Sequence, residues 1–131
     1  MVIKAVIIDP SFVARKLLVR ILEKYNDNGD TVLVTGENDT IQGAILQMEE
    51  ADPDILFINT EPENVREIEG EIKEIKGMKP SLKIVFCANS NARMSIVPAW
   101  KRGADDFIMK PYKEPKVFMA IKETMLGKKE E

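Results

Sequence analysis

The sequence predicts an α/β fold, a (βα)5 chain whose five strands form a parallel sheet with helices on both faces, three layers in all. Two observations carry this reading. Short apolar runs alternate with longer amphipathic stretches five times along the chain. The runs are continuous rather than alternating in polarity, as strands covered on both faces are. Crossovers of this βαβ kind make the sheet parallel and the connections right-handed.

The elements follow in order. Ile3–Asp9 is the first strand, and Ala14, Leu17, Leu18, Ile21, Leu22 and Tyr25 then recur at helical spacing. Asn28-Gly29 reads as the stop of that helix. The second strand is Thr31–Thr35, and Ile41, Ala44, Ile45 and Met48 mark the second helix. Asp54–Asn59 is the third strand. Val65, Ile68, Ile72 and Ile75 form the buried stripe of the third helix, with Arg66, Glu67, Glu69, Glu71, Lys73, Glu74 and Lys76 as its solvated face and Gly77 as its stop. Leu82–Ala88 is the fourth strand. A helix over 91–102 contains Pro98, which lacks an N–H and clashes with the preceding turn, so it is expected short, kinked or late to start. Gly103 closes it. Asp106–Met109 is the fifth strand, and Val117, Ile121 and Met125 mark a last helix that ends at Gly127. Residues 1–127 read as one domain and 128–131 as a charged tail, with no repeat, linker or low-complexity segment.

Composition narrows the function. A chain of 131 residues suits one compact domain, and 44% apolar residues suffice for a core. A net charge of −3 offers no basic footprint, so nucleic acid is not expected as a partner. Cys87 is the only cysteine; it lies in an apolar run and reads as a buried thiol of a cytosolic protein. The opening apolar run is too short for a signal peptide, and nothing approaches the roughly 20 residues of a membrane span. A soluble, cytoplasmic protein without a membrane partner is expected. Having no histidine, the chain cannot use His-based acid–base catalysis, a Ser-His-Asp triad, a His metal site or a phosphohistidine.

Ligands of open parallel sheets bind beyond the carboxyl ends of the strands. The residues to inspect there are Asp9, Asn59, Ala88 and Lys110. Three segments around them carry a resemblance. Ile7-Ile8-Asp9-Pro10-Ser11, followed by Arg15, resembles the apolar-Asp-Asp-Ser start of CheY-like response-regulator receiver domains. Pro53-Asp54-Ile55-Leu56-Phe57-Ile58-Asn59 resembles the run that ends in the family's phosphoacceptor aspartate. Gly103-Ala104-Asp105-Asp106-Phe107-Ile108-Met109-Lys110-Pro111-Tyr112 is similar to the family's last strand and its Lys-Pro-aromatic signature. The resemblance implies a flavodoxin-like fold with strand order 2-1-3-4-5 and a structural role for Asp105 and Asp106. Asp54 is expected to contact backbone or act as a cap.

The departures from the family pattern bear on chemistry. Phosphoryl transfer to a receiver uses a nucleophilic carboxylate, adjacent acids that hold Mg²⁺, and a hydroxyl and a lysine for the phosphoryl oxygens. Asn59 stands at the acceptor position, Pro10 at the second acid and Ala88 at the hydroxyl; Asp9 and Lys110 remain. Glu61-Pro62 places the family's post-acceptor proline one residue early, so this loop is expected to be remodelled. One carboxylate beside one ammonium is near neutral. The pocket is therefore expected to hold a direct Asp9–Lys110 pair, or one bridged by Asn59, with no metal, no cofactor and no phosphorylation.

What this implies is a degenerate, stand-alone receiver that is not an enzyme and acts as a phosphorylation-independent interaction module in signal transduction. With no output domain following, its output is expected in trans, on a protein partner of a signalling pathway. Receiver partners dock on the face of the fourth helix, fifth strand and fifth helix, where Ile96, Trp100, Phe107, Met109 and Tyr112 fall by motif matching. Trp100, Phe107 and Tyr112 are expected to form an exposed aromatic cluster there, suited to a partner or to a second copy of the chain. The alternative is a small-ligand or anion sensor using the emptied pocket.

Overall fold

In the computed structural model, residues 1–61, 64–89 and 103–126 are described. They form β1 (Val2–Ile8), α1 (Phe12–Glu23), β2 (Asn26–Asp27), β3 (Asp30–Asn38), α2 (Ile41–Ala51), β4 (Ile55–Asn59), α3 (Val65–Met78), β5 (Lys83–Asn89), β6 (Asp106–Lys110) and α4 (Glu114–Leu126). The helix anticipated over 91–102, with its Pro98 interruption, and the tail at 128–131 lie outside the described residues.

One sheet runs in the order β2-β3-β1-β4-β5-β6. Every pairing is parallel except β2 with β3. Its parallel strands keep the 2-1-3-4-5 order, and β2 is an addition to the five-stranded expectation. The cause is local. Asn28 and Gly29 both take positive φ, 53° and 92°, and form the two-residue loop that matches the twist of a hairpin. They turn the chain between Asp27 and Asp30, which pair across it. Asn28-Gly29 is thus a hairpin turn and not a helix stop; α1 has already ended at Glu23, capped by Lys24. Gly77 likewise lies inside the last turn of α3, which closes at Lys79.

Side chains of β1, β4 and β5 alternate between two cores, because successive strand residues point to opposite faces. Ile3, Ala5, Ile7, Ile55, Phe57, Val85 and Cys87 pack with Leu18 and Leu22 of α1 and with Val117, Ala120 and Ile121 of α4. Val6, Ile8, Leu56, Ile58, Ile84 and Phe86 pack with Ile41, Ala44 and Met48 of α2 and with Val65, Ile72 and Ile75 of α3. Each fully buried Leu, Ile or Phe stabilises the fold by about 1.5–3 kcal/mol relative to exposure.

Two features bring the chain into position around the carboxyl end of β1. The Ser11 hydroxyl accepts the Ala14 N–H at 3.2 Å and starts α1 two residues after Asp9. On β3 the register steps over Thr35, a bulge, and beyond it the Asn38 carbonyl accepts the Asp9 N–H at 2.9 Å.

Candidate functional site

Four strand ends converge at one rim of the sheet. Asp9 follows β1, Asn59 closes β4, Asn89 closes β5 and Lys110 closes β6. The Lys110 ammonium reaches across them: Nζ donates to Asp9 Oδ2 at 2.8 Å and to Asn59 Oδ1 at 2.6 Å. Asp9 is 2% exposed. Its other oxygen, Oδ1, accepts the Ser11 N–H at 2.8 Å. Arg15 Nη1 donates to the Asp9 backbone carbonyl at 2.6 Å. A buried carboxylate without such partners would cost several kcal/mol, so each contact here offsets desolvation. The ion pair is direct, and Asn59 shares its cation.

A second link ties β4 to β5. Both Glu61 carboxylate oxygens face the Asn89 N–H, at 3.3 and 3.2 Å, and Oε1 accepts the Asn89 side-chain amide at 2.6 Å. Further out, Lys16 Nζ meets Glu37 Oε2 at 2.7 Å, and Arg15 Nε lies 3.4 Å from Oε1 without forming a hydrogen bond. The strand expected to end at Ala88 runs one residue further. Ala88 is buried within it, and Asn89 takes the rim position opposite Lys110. Asn89 is not among the residues singled out from sequence, and Glu61 enters there only with Pro62 as part of a remodelled loop. Asn89 had a signal, since it is the first polar residue after an apolar run, as Asp9 and Asn59 are.

The donor set does not fit a hard divalent ion. Such an ion prefers several oxygen ligands, mostly carboxylates and water. Here both Asp9 oxygens and the Asn59 carbonyl are engaged, one lysine already supplies the countercharge, and Pro10 has no side-chain donor. Among the described residues no group of three or more His, Cys, Asp or Glu could hold a metal.

The anticipated interface residues are only partly where the sequence placed them. Ile96 and Trp100 lie outside the described residues. Phe107 is half-buried and packs against the α2/α3 core, and Met109 is half-buried and lines a groove between β6 and α4. Tyr112 turns inward against the α1/α4 core, where burial above all, and then Cys87, raises its hydroxyl pKa. Cys87 is itself pushed up to about 12, by burial above all. Phe107 and Tyr112 therefore do not form an exposed aromatic cluster. Each ring can remove about 150–250 Å² from water by turning toward a core layer, and both layers reach the edge strand. Asp105 accepts the Ile84 N–H at 2.8 Å and Asp106 the Phe107 N–H at 2.8 Å. Asp54 accepts the Lys4 N–H at 2.9 Å.

Comparison with known proteins gives a consistent result. Residues 5–122 match the profile of the response regulator receiver domain. The chemotaxis protein CheY of Thermotoga maritima is 29% identical, over 90% of this chain and 93% of its own length. CheY of Bacillus subtilis is 28% identical, over 93% of this chain and 97% of its own. The isolated REC domain of RcsB from Salmonella enterica serovar Typhimurium superposes with a TM-score of 0.78 at 19% identity, covering 99% of this chain and 93% of that one. A response regulator from Thermotoga maritima gives a TM-score of 0.75 at 20% identity, over 96% and 99%.

Proposed function

The chain belongs to the response regulator receiver family, and from that premise we propose that it is a pseudo-receiver, a non-enzymatic protein-interaction module of signal transduction that works without phosphorylation. The observation that carries the reading is the Lys110 ammonium held at once by Asp9 and Asn59. Asn59 ends the strand where receivers present the nucleophilic carboxylate, and a neutral amide oxygen cannot form an acyl phosphate. The lysine that would meet a phosphoryl oxygen is already neutralised by an internal carboxylate.

Those contacts favour interaction over the anion-sensor alternative, because an incoming anion would have to displace Asp9 and approach the Glu61 carboxylate as well. The proposed partner face includes the groove of about 460 Å³ between β6 and α4, lined by Phe107, Met109, Pro111, Lys113, Lys116 and Met119 among others. Its lining is largely apolar, and Lys113 and Lys116 are balanced there by Asp106 and Glu123, which suits a protein segment that is itself largely apolar.

The test is chemical. After incubation with acetyl phosphate and Mg²⁺, intact-mass analysis is expected to show the unmodified protein. A hydroxylamine-sensitive adduct of one phosphoryl group would overturn the proposal.

A further inference from the structure

The outward face of α1 is apolar and cationic. Phe12, Val13 and Leu17 are 62%, 68% and 52% exposed. Helical spacing puts them in one strip with Lys16 and Arg20, and Phe12 lies 5.5 Å beneath the Lys16 ammonium. Within the helix itself Arg15, Lys16 and Arg20 outnumber Glu23, a net of +2 in a chain whose total is −3, and Glu37 of β3 meets Lys16 and Arg15 but not Arg20. Arg20 has no ion-pair partner among the described residues. Solvent gains nothing from three large apolar side chains grouped around a free cation, and such a patch normally marks a contact surface.

A complementary surface lies on the opposite layer. Leu46 of α2 is 87% exposed, more than any other large apolar residue described. Glu49 and Glu50 lie three and four residues on, one turn away on the same side of the helix, and α2 carries no cation, a net of −2. Neither glutamate has an ion-pair partner among the described residues. An acidic-rimmed leucine thus faces outward on one side of the sheet, and a cation-rimmed apolar strip faces outward on the other.

We propose that these two surfaces bind each other between copies of the chain, α1 of one against α2 of the next. The occupant follows from charge: a second α1 would bring cation against cation, whereas α2 brings unpaired carboxylates to Arg20 and an unpartnered leucine to Phe12, Val13 and Leu17. Because α1 and α2 lie on opposite faces of the sheet, the contact is heterologous. It leaves a free α1 at one end and a free α2 at the other, so assembly continues past the dimer, into a ring where the rotation closes and a linear chain where it does not. A contact between two single helices is small, and the association is correspondingly weak and reversible. This inference stands apart from the phosphorylation chemistry and from the β6–α4 groove.

Sedimentation equilibrium of the full chain tests it, alone and with two neutral surface variants, Val13→Ser/Arg20→Gln and Leu46→Ser/Glu50→Gln. The unmodified chain is expected to show an average mass that climbs past the dimer as concentration rises toward about 1 mM at low salt, and less so at roughly 0.5 M salt. Each variant alone is expected to lose association roughly tenfold or more, with its melting temperature retained. Mixed together, they are expected to form a one-to-one dimer, since each supplies the surface the other lacks. A monomer throughout the concentration range would overturn the proposal. So would a mass that stops at the dimer, a variant that associates as the parent does, or a mixture that stays monomeric.

Discussion

Near both ends of the sheet an aspartate meets lysine, and the two sites differ chiefly in their access to water. At the carboxyl end Asp9 meets Lys110 at 2.8 Å, with side-chain exposures of 3% and 20%. Near the amino end Asp52, the left-handed cap of α2, meets Lys4 at 2.7 Å and Lys79 at 2.9 Å, with its own side chain 55% exposed. Distance alone would rank the Asp52 network first, since it has two ammonium groups for one carboxylate. Dielectric reverses the order. An exposed pair is screened and typically worth about 0–1 kcal/mol, whereas removing one partner of a buried pair strands a charge at a cost of several kcal/mol. The lesson is that the same two residue types act as surface decoration in one place and as a structural constraint in the other.

The comparison breaks most readily at Lys110. Lys110→Ala leaves the Asp9 carboxylate with the Ser11 N–H as its one hydrogen-bond partner among the described residues, and is expected to cost about 2–3 kcal/mol, a fall in melting temperature on the order of 6–12 °C. A change below about 0.5 kcal/mol in denaturant titration would mean that water reaches Asp9 and that the two sites are equivalent.

A second, smaller effect lies beside the buried site. The Cys87 thiol is raised to about 12 from an ordinary value near 9, mainly by burial, with the Tyr112 hydroxyl and Lys110 acting the other way. The folded form thus holds its proton more tightly than the unfolded chain does. Its contribution is complete below about pH 9 and is lost as pH rises toward 12. Melting temperature is expected to fall across that window, and Cys87→Ala to fall less steeply. Parallel slopes for the two proteins would remove Cys87 as a cause.

The smallest effect belongs to Asp52. Hydrogen bonding to Lys4, and then to Lys79, holds its carboxyl down at about 2, below an ordinary value near 3.8. A group shifted in this direction stabilises the fold above about pH 4, and the contribution is lost as pH falls toward 2. Asp52→Asn is therefore expected to lower neutral stability only slightly, because the group is exposed and screened, and to flatten acid unfolding by the same small amount within that window. A loss at neutral pH comparable to that of Lys110→Ala would show that the exposed network is as structural as the buried pair.

Much of this architecture was legible in the residues themselves. Continuous apolar runs at Ala5–Ile8 and Ile84–Ala88, and the helical stripe of Leu18 and Leu22, encode burial on two faces and one face respectively; both periods arise from backbone geometry. Asp9, Asn59 and Lys110 were found because polar residues that end buried strands must gather at one rim. Asn28-Gly29 was misread because one dipeptide serves as a helix stop or as a hairpin turn, and the choice depends on whether a strand is available to pair with Asn26 and Asp27.

Other outcomes were decided only by tertiary packing. The inward turn of Tyr112 and Phe107 depends on space left by two core layers assembled from distant segments. The Glu61–Asn89 link joins residues 28 apart in sequence, and Lys110 reaches Asp9 across 101. The sequence by itself determined which groups exist, their charges and the strands that carry them, because local periodicity fixes element and face. Which group neutralises which, and how strongly, was settled by three-dimensional proximity and exclusion of water, since electrostatic strength depends on surroundings that no single segment contains.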